Sequence, residues 1–260
     1  MAKRLTAPRL SDAMLRNMAH ITDADIAAGK SLFDSVAPRG YRGLLDAPLK
    51  GASAADNRIV WDATTGRYIL AGRRVPPLEI RTRVIERLIL SAKRTQRTLS
   101  AQLQNREITL SEWQSAMINS IKQTQTAAAL TANGGEKNTS DSDKEEIAAL
   151  ILALLLLFRK FSQDIQRNRQ PLNGLLIVRS DLYASSARGM FEEISGYNAR
   201  VYQGKTEERR VLGNADHCRT DSELEGCLEL AAKGWQPIGS LPPIGKSPCR
   251  SNCKCTKVYR

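Results

Sequence analysis

All five cysteines of this 260-residue chain fall between positions 218 and 255, and the long segment before them has none. Cys218, Cys227, Cys249, Cys253 and Cys255 thus mark one short, loop-rich segment with too little apolar surface to fold by burial alone. Pro237, Pro242 and Pro243, with Gly234, Gly239 and Gly245, make the stretch between the cysteines a string of turns. Such turns can bring a first knuckle, Cys218 and Cys227, onto a second, Cys249, Cys253 and Cys255.

Three chemistries suit this pattern. Four thiolates satisfy a tetrahedral zinc ion, and a closed site of that kind is structural. Disulfides would also staple a small unit, but five is odd, so at least one thiol must be free, metal-bound or intermolecular. The third possibility is a set of reduced thiols with no joint role. His217 is read as a bystander, because adjacent residues of an extended strand point opposite ways.

The run Val211-Leu212-Gly213, His217-Cys218, Cys227-Leu228, Ala231-Ala232, Gly234-Trp235-Gln236-Pro237-Ile238-Gly239, Leu241-Pro242-Pro243 and Cys249-Arg250-Ser251-Asn252-Cys253-Lys254-Cys255 carries a resemblance. It is similar to the C-terminal motif of the Mu F-like minor head proteins, the head morphogenesis proteins of tailed bacteriophages. Members of that family carry a closer Cys-x-x-Cys first knuckle, whereas eight residues, Asp221, Glu223 and Glu225 among them, separate Cys218 from Cys227 here. Weaker similarity at Thr64-Thr65-Gly66-Arg67-Tyr68, Leu110-Ser111-Glu112-Trp113-Gln114 and Asp181-Leu182-Tyr183-Ala184 extends it over residues 56–260. The resemblance implies a minor virion protein, made in the bacterial cytoplasm and associated with portal or inner capsid. It would act in head morphogenesis or DNA passage without catalysis, with other virion proteins as partners and homo-oligomerisation as an option.

The formal charge of +12 is uneven. Residues 1–100 hold 18 basic against 9 acidic side chains, residues 101–200 are balanced, and residues 201–260 carry a small positive excess. The basic N-terminal half is suited to packaged-DNA phosphates or to an acidic face of another protein. No signal peptide is read at Met1-Ala2-Lys3-Arg4, and no run reaches the length of a membrane span. Residues 1–55, with helical pieces at Ser11–Met18 and Thr22–Phe33, read as an extended arm.

Residues 56–76 read as a β-hairpin: Arg58–Asp62 and Arg67–Leu70 flank a loop containing Gly66. Residues 77–204 read as a bundle of four long helices. The first carries Ile80, Val84, Leu88, Ala92, Leu99 and Leu103; the second opens on a Thr109–Glu112 capping box and stops at Gly134-Gly135. The third, capped by Ser142–Glu145, holds twelve apolar residues in a row, Ile147–Phe158, and is expected at the centre of the bundle, with an oligomer interface or membrane-active segment as the alternative. A fourth is expected to run from Leu175 to Tyr202, and residues 205–260 form the cysteine-rich unit.

The expected fold class is therefore mainly α: an elongated helical bundle with a small β-hairpin and a C-terminal cysteine-rich, loop-rich unit, zinc-binding on the first of the three chemistries. No catalytic constellation stands out. The chain has two histidines and no phosphate-binding glycine loop, and Glu192-Glu193 and Glu207-Glu208 read as solvated helix faces. The competing function is a zinc-containing nucleic-acid-binding protein, which would need a compact recognition helix beside the knuckles.

Overall fold

A computed structural model of the chain describes residues 59–62, 64–65, 67–213 and 225–260. The basic arm expected over 1–55 lies outside the described residues, as do His217 and Cys218. The described part is mainly helical, with two small antiparallel sheets and a C-terminal cysteine cluster, the fold class read from the sequence.

The hairpin is a three-stranded meander: β1 (Val60–Asp62), β2 (Arg67–Leu70) and β3 (Arg73–Val75). The third strand was not expected. Ala71 and Gly72, at φ 50° and 72°, turn the chain in two residues, the geometry that returns a strand beside its predecessor. The inward side chains Tyr68, Leu70 and Val75 are buried against the helices. There the Tyr68 hydroxyl donates to the Ala132 carbonyl at 2.8 Å. Gly134 permits this docking: a Cβ at that position would stand 2.2 Å from the Trp61 backbone nitrogen.

Pro77 opens α1 (Pro77–Ile80), which continues through a π-helical turn, Arg81–Ile85, into α2 (Glu86–Gln104). Helix α3 (Leu110–Ala132) begins with the expected capping box, Thr109 and Glu112 satisfying each other's backbone N–H groups. Helix α4 (Asp141–Gln166) is capped by Ser140 with Asp143, two residues before the expected Ser142. The expected last helix is two: α5 (Gly174–Ser185) and α6 (Ala187–Val201). The break is held from outside. Gln125 of α3 donates to the Tyr183 carbonyl at 3.1 Å and to Ser186 Oγ at 2.9 Å, and Ser186 Oγ itself donates to that carbonyl at 2.7 Å, so the two sides of the break share one set of hydrogen bonds.

The helix at the centre is α3, not the leucine-rich α4. It packs on α2, α4, α5 and α6, and every residue from Thr124 to Gly134 is buried. Ala127, Ala128 and Ala129 have small side chains, so neighbours can approach from all sides. In α4, Ile147, Ala148, Ile151 and Phe158 are buried, whereas Leu152, Leu154 and Leu156 are partly exposed and Leu157 is 53% exposed. Four leucines in a row demand a neighbour on each side, and α4 has its main packing against α3. No helix among the described residues is long and apolar enough to cross a membrane. At the far end of the bundle Trp113, Phe158, Phe161 and Tyr183 form an aromatic core, with Trp113 and Phe158 centroids 5.3 Å apart.

After α6 the chain enters β4 (Glu207–Val211), the middle strand of a second sheet between β5 (Gln236–Pro237) and β6 (Thr256–Tyr259). A short helix, α7 (Cys227–Ala232), precedes β5. This sheet and helix are absent from the turn-only reading of the segment, although residues 238–249 are turns as expected. The strand was missed because its sequence, Glu-Glu-Arg-Arg-Val, has no apolar alternation. Its buried face is built from Glu208 and Arg210 instead.

Candidate metal centre

Four elements bring the cysteines together. Cys227 is the first residue of α7, Cys249 and Cys253 bracket a 3₁₀ turn at Arg250–Asn252, and Cys255 leads directly into β6. Pairing of β6 with β4, Val211 opposite Thr256, holds Cys255 next to Gly213. A Cβ on Gly213 would stand 2.0 Å from the Lys254 carbonyl oxygen, so only glycine permits that approach.

All four described cysteines are buried and pack with Ile244 in one cluster. The sulphurs of Cys227, Cys253 and Cys255 lie within 4.8 Å of one another, so this group could hold a metal ion. Cys227 Sγ is 3.6 Å from Cys253 Sγ and 4.0 Å from Cys249 Sγ, well beyond the roughly 2.05 Å of a disulfide. The structure therefore places four of the five predicted ligands in one cluster; the fifth, Cys218, lies outside the described residues.

The sulphurs share protons unevenly. Burial, with the Cys253 sulphur beside it, pushes the Cys227 thiol up. The Cys253 thiol is also pushed well up, first by its hydrogen bond to Cys255 and then by burial. That same bond, against the effect of burial and aided by the Gly213 N–H, holds Cys255 below the usual thiol range. Several thiolates cannot share a dry pocket unless a cation stands between them. The donor set fits a soft-ligand divalent ion.

Sequence reasoning missed Arg210. Its side chain is wholly buried, and Nη1 approaches Cys227 Sγ at 3.6 Å and Cys253 Sγ at 3.9 Å. Nη1 also donates to Ser247 Oγ at 3.1 Å and Nη2 to the Pro242 carbonyl at 2.6 Å, while Nε has no partner. Among the described residues no carboxylate forms an ion pair with it. Only recognition of β4 could have revealed it, as an arginine two positions after Glu208 on the same strand face.

Comparison with protein-family models, with curated proteins and with solved structures finds no match for this chain. The functional reading therefore rests on the site and its setting.

That setting is a second departure from the sequence reading. Glu192 and Glu208 are buried ion partners, not solvated faces. Glu192, on α6, faces Arg81 of the π-helical turn at 3.3 Å and accepts from Thr256 Oγ1 and from the Lys257 N–H of β6. Glu208 accepts from Lys257 Nζ at 2.9 Å and from the backbone N–H groups of Gly239 and Leu241. Arg188 joins Glu86 of α2 to the Ser251 carbonyl in the cysteine loop. The cysteine unit is thus tied to the bundle by buried charges. Beside it, an apolar cavity of about 380 Å³ opens between α4, α5, α6 and the loop, with Leu154, Leu182, Met190, Ile244 and Cys253 on its walls.

Proposed function

We propose that this chain is a minor structural protein of a tailed-phage virion. It acts at the portal or inner capsid in head morphogenesis or DNA passage, without catalysis, and its C-terminal unit is closed by a structural zinc ion. The observation that carries this reading is the convergence of Cys227, Cys249, Cys253 and Cys255 into one buried cluster beneath the bundle. These are the residues through which the C-terminal segment resembles the head morphogenesis proteins. Soft thiolates and a closed, buried setting favour zinc, and the same features favour a structural role over a catalytic one, which would keep a coordination position open.

The buried polar residues support the same reading. Glu192 and Arg188 tie the bundle to the cysteine unit, reaching Thr256, the Lys257 N–H and the Ser251 carbonyl, while Glu86 braces Arg188 and Glu208 pairs with Lys257 inside that unit. A chain that invests its buried charge in rigidity is suited to bearing load between other proteins. Its partners on this reading are other virion proteins, met through the basic N-terminal half.

Two measurements test the proposal. Elemental analysis of protein purified under reducing conditions should find about one zinc per chain, lost in a Cys253→Ser, Cys255→Ser double variant. A tagged chain expressed during phage development should sediment with assembled heads. A metal-free protein overturns the zinc reading, and a tag confined to the soluble fraction overturns the virion reading.

A further inference from the structure

A buried guanidinium needs a negative partner, and Arg210 has no carboxylate partner among the described residues. The groups that approach its Nη1 are a neutral hydroxyl, Ser247, and two sulphurs, Cys227 and Cys253. Neutral thiols or a neutral disulfide would leave that charge uncompensated. A divalent ion held by thiolates does not: three thiolates leave a net charge of −1 and four leave −2.

The sulphur positions distinguish the two. Metal–sulphur bonds of about 2.3 Å in a tetrahedron put the sulphurs about 3.8 Å apart. Cys227 Sγ lies 3.6 Å from Cys253 Sγ and 4.0 Å from Cys249 Sγ, on either side of that edge. The sulphurs of Cys227, Cys253 and Cys255 lie within 4.8 Å of one another, whereas Cys249, buried in the same cluster, stands outside that group beside Cys227, so that binding as the fourth ligand draws its sulphur inward. The surrounding loop carries further cations, Lys246, Arg250 and Lys254, and Arg188 reaches the Ser251 carbonyl within it. Such a loop favours a centre that remains negative after the metal is bound.

We propose that the centre is a closed four-thiolate site formed by Cys227, Cys249, Cys253 and Cys255, with Arg210 as the buried counter-cation of its doubly negative charge. This deepens the zinc reading above and rests on it. Cys227 joins α7 to the loop, Cys249 and Cys253 clamp the 3₁₀ turn, and Cys255 anchors β6. Arg210 couples the centre to the middle strand of the sheet and, through its bond to the Pro242 carbonyl, to the proline turn. It is a positioning residue that acts on the ligands through charge.

The test uses the full chain loaded with Co²⁺ in place of zinc, since cobalt–thiolate charge-transfer intensity reports how many sulphurs bind. Wild type should give a four-sulphur tetrahedral spectrum. Cys249→Ser should lose about a quarter of the charge-transfer intensity, in proportion to one ligand of the four, and Cys218→Ser should retain it all. Arg210→Met should keep four sulphurs but bind the ion about 10- to 100-fold more weakly in chelator competition, the range expected for outer-shell partners. Arg210→Lys, which keeps the charge, should recover most of that loss and covers the case in which the methionine variant does not fold. A full spectrum in Cys249→Ser with loss in Cys218→Ser overturns the ligand set, while the metal reading survives. Unchanged affinity in both Arg210 variants overturns the counter-cation role. Failure of every chain to bind Co²⁺ or Zn²⁺ overturns the underlying zinc reading itself.

Discussion

Arg81 and Glu192 face one another at 3.3 Å with both side chains almost wholly excluded from solvent, joining the π-helical turn before α2 to α6. The same Glu192 carboxylate accepts from Thr256 Oγ1 at 2.7 Å and from the Lys257 N–H at 3.0 Å. One carboxylate therefore holds three elements that are remote in sequence. Glu192→Ala would leave the Arg81 charge, a hydroxyl and an N–H without their acceptor. Removing one partner of a buried pair costs about 3–5 kcal/mol. Denaturant unfolding should show that loss for Glu192→Ala, and a smaller one for the double variant Arg81→Met, Glu192→Met, in which no charge is stranded.

The acid limb of stability depends on Glu86. Burial acts to raise its carboxyl, but the hydrogen bond and charge of Arg188, with Arg81 and Lys254 behind them, outweigh burial and hold it below the usual range. A depressed folded-state value means that its contribution is complete above the unfolded glutamate value of about 4.3. The contribution is lost as pH falls through the folded value. Thermal unfolding followed from pH 7 to pH 3 should show Glu86→Gln less stable than wild type at neutral pH, with the two converging in acid. A constant difference across that range contradicts the assignment.

Metal removal should act locally. Cys227, Cys249, Cys253 and Cys255 form their own cluster, separate from the two cores of the bundle. Chelation under reducing conditions should lower the melting temperature and speed trypsin cleavage at Lys246, Arg250 and Lys254. Far-ultraviolet circular dichroism should keep most of its helical signal. Collapse of the helical signal together with the loop would show that the bundle depends on the centre.

Gly134 and Trp61 set the hairpin against the end of α3. At φ 71°, with a would-be Cβ 2.4 Å from the Trp61 Cβ, Gly134→Ala meets both a strained backbone and a collision with strand β1. Strain at such a position costs about 1–3 kcal/mol before the clash is added. The variant should unfold at lower denaturant concentration, and Trp61 fluorescence should report the displaced strand. Gly204→Ala, with a similar φ but nothing within 4 Å, is the control and should cost less.

Trp113 tests the distal core. It is completely buried against Phe158 and Phe161, and its Nε1 donates to Ser100 Oγ at 3.4 Å. Trp113→Ala should destabilise by about 3–5 kcal/mol in denaturant unfolding. Because the cysteines form a cluster of their own, separate from the one that holds Trp113, zinc stoichiometry should be unchanged.

Local signals were sufficient for much of this architecture. The Thr109–Glu112 capping box, the glycine pair at 134 and 135 and the four-residue apolar spacing from Ile80 to Leu103 each specify a helix or its end through contacts within one turn. The clustering of the cysteines likewise pointed to a joint role before any geometry was known. Centrality was another matter, because it depends on how many neighbours surround a helix. The leucine run of α4 had the stronger hydrophobic signal, yet the small residues of α3 let four helices close around it. Charge was misread for the same reason. Glu192, Glu208 and Arg210 look like surface residues until Arg81, Lys257 and the cysteine sulphurs are brought from distant positions to face them. By itself, then, the sequence determined the mainly helical class, most helix positions, the first two strands of the hairpin and the gathering of the cysteines in one segment. Only the tertiary structure decided which helix is enclosed, which charges are buried and which cation stands against the thiols, because those properties arise from partners far apart in the chain.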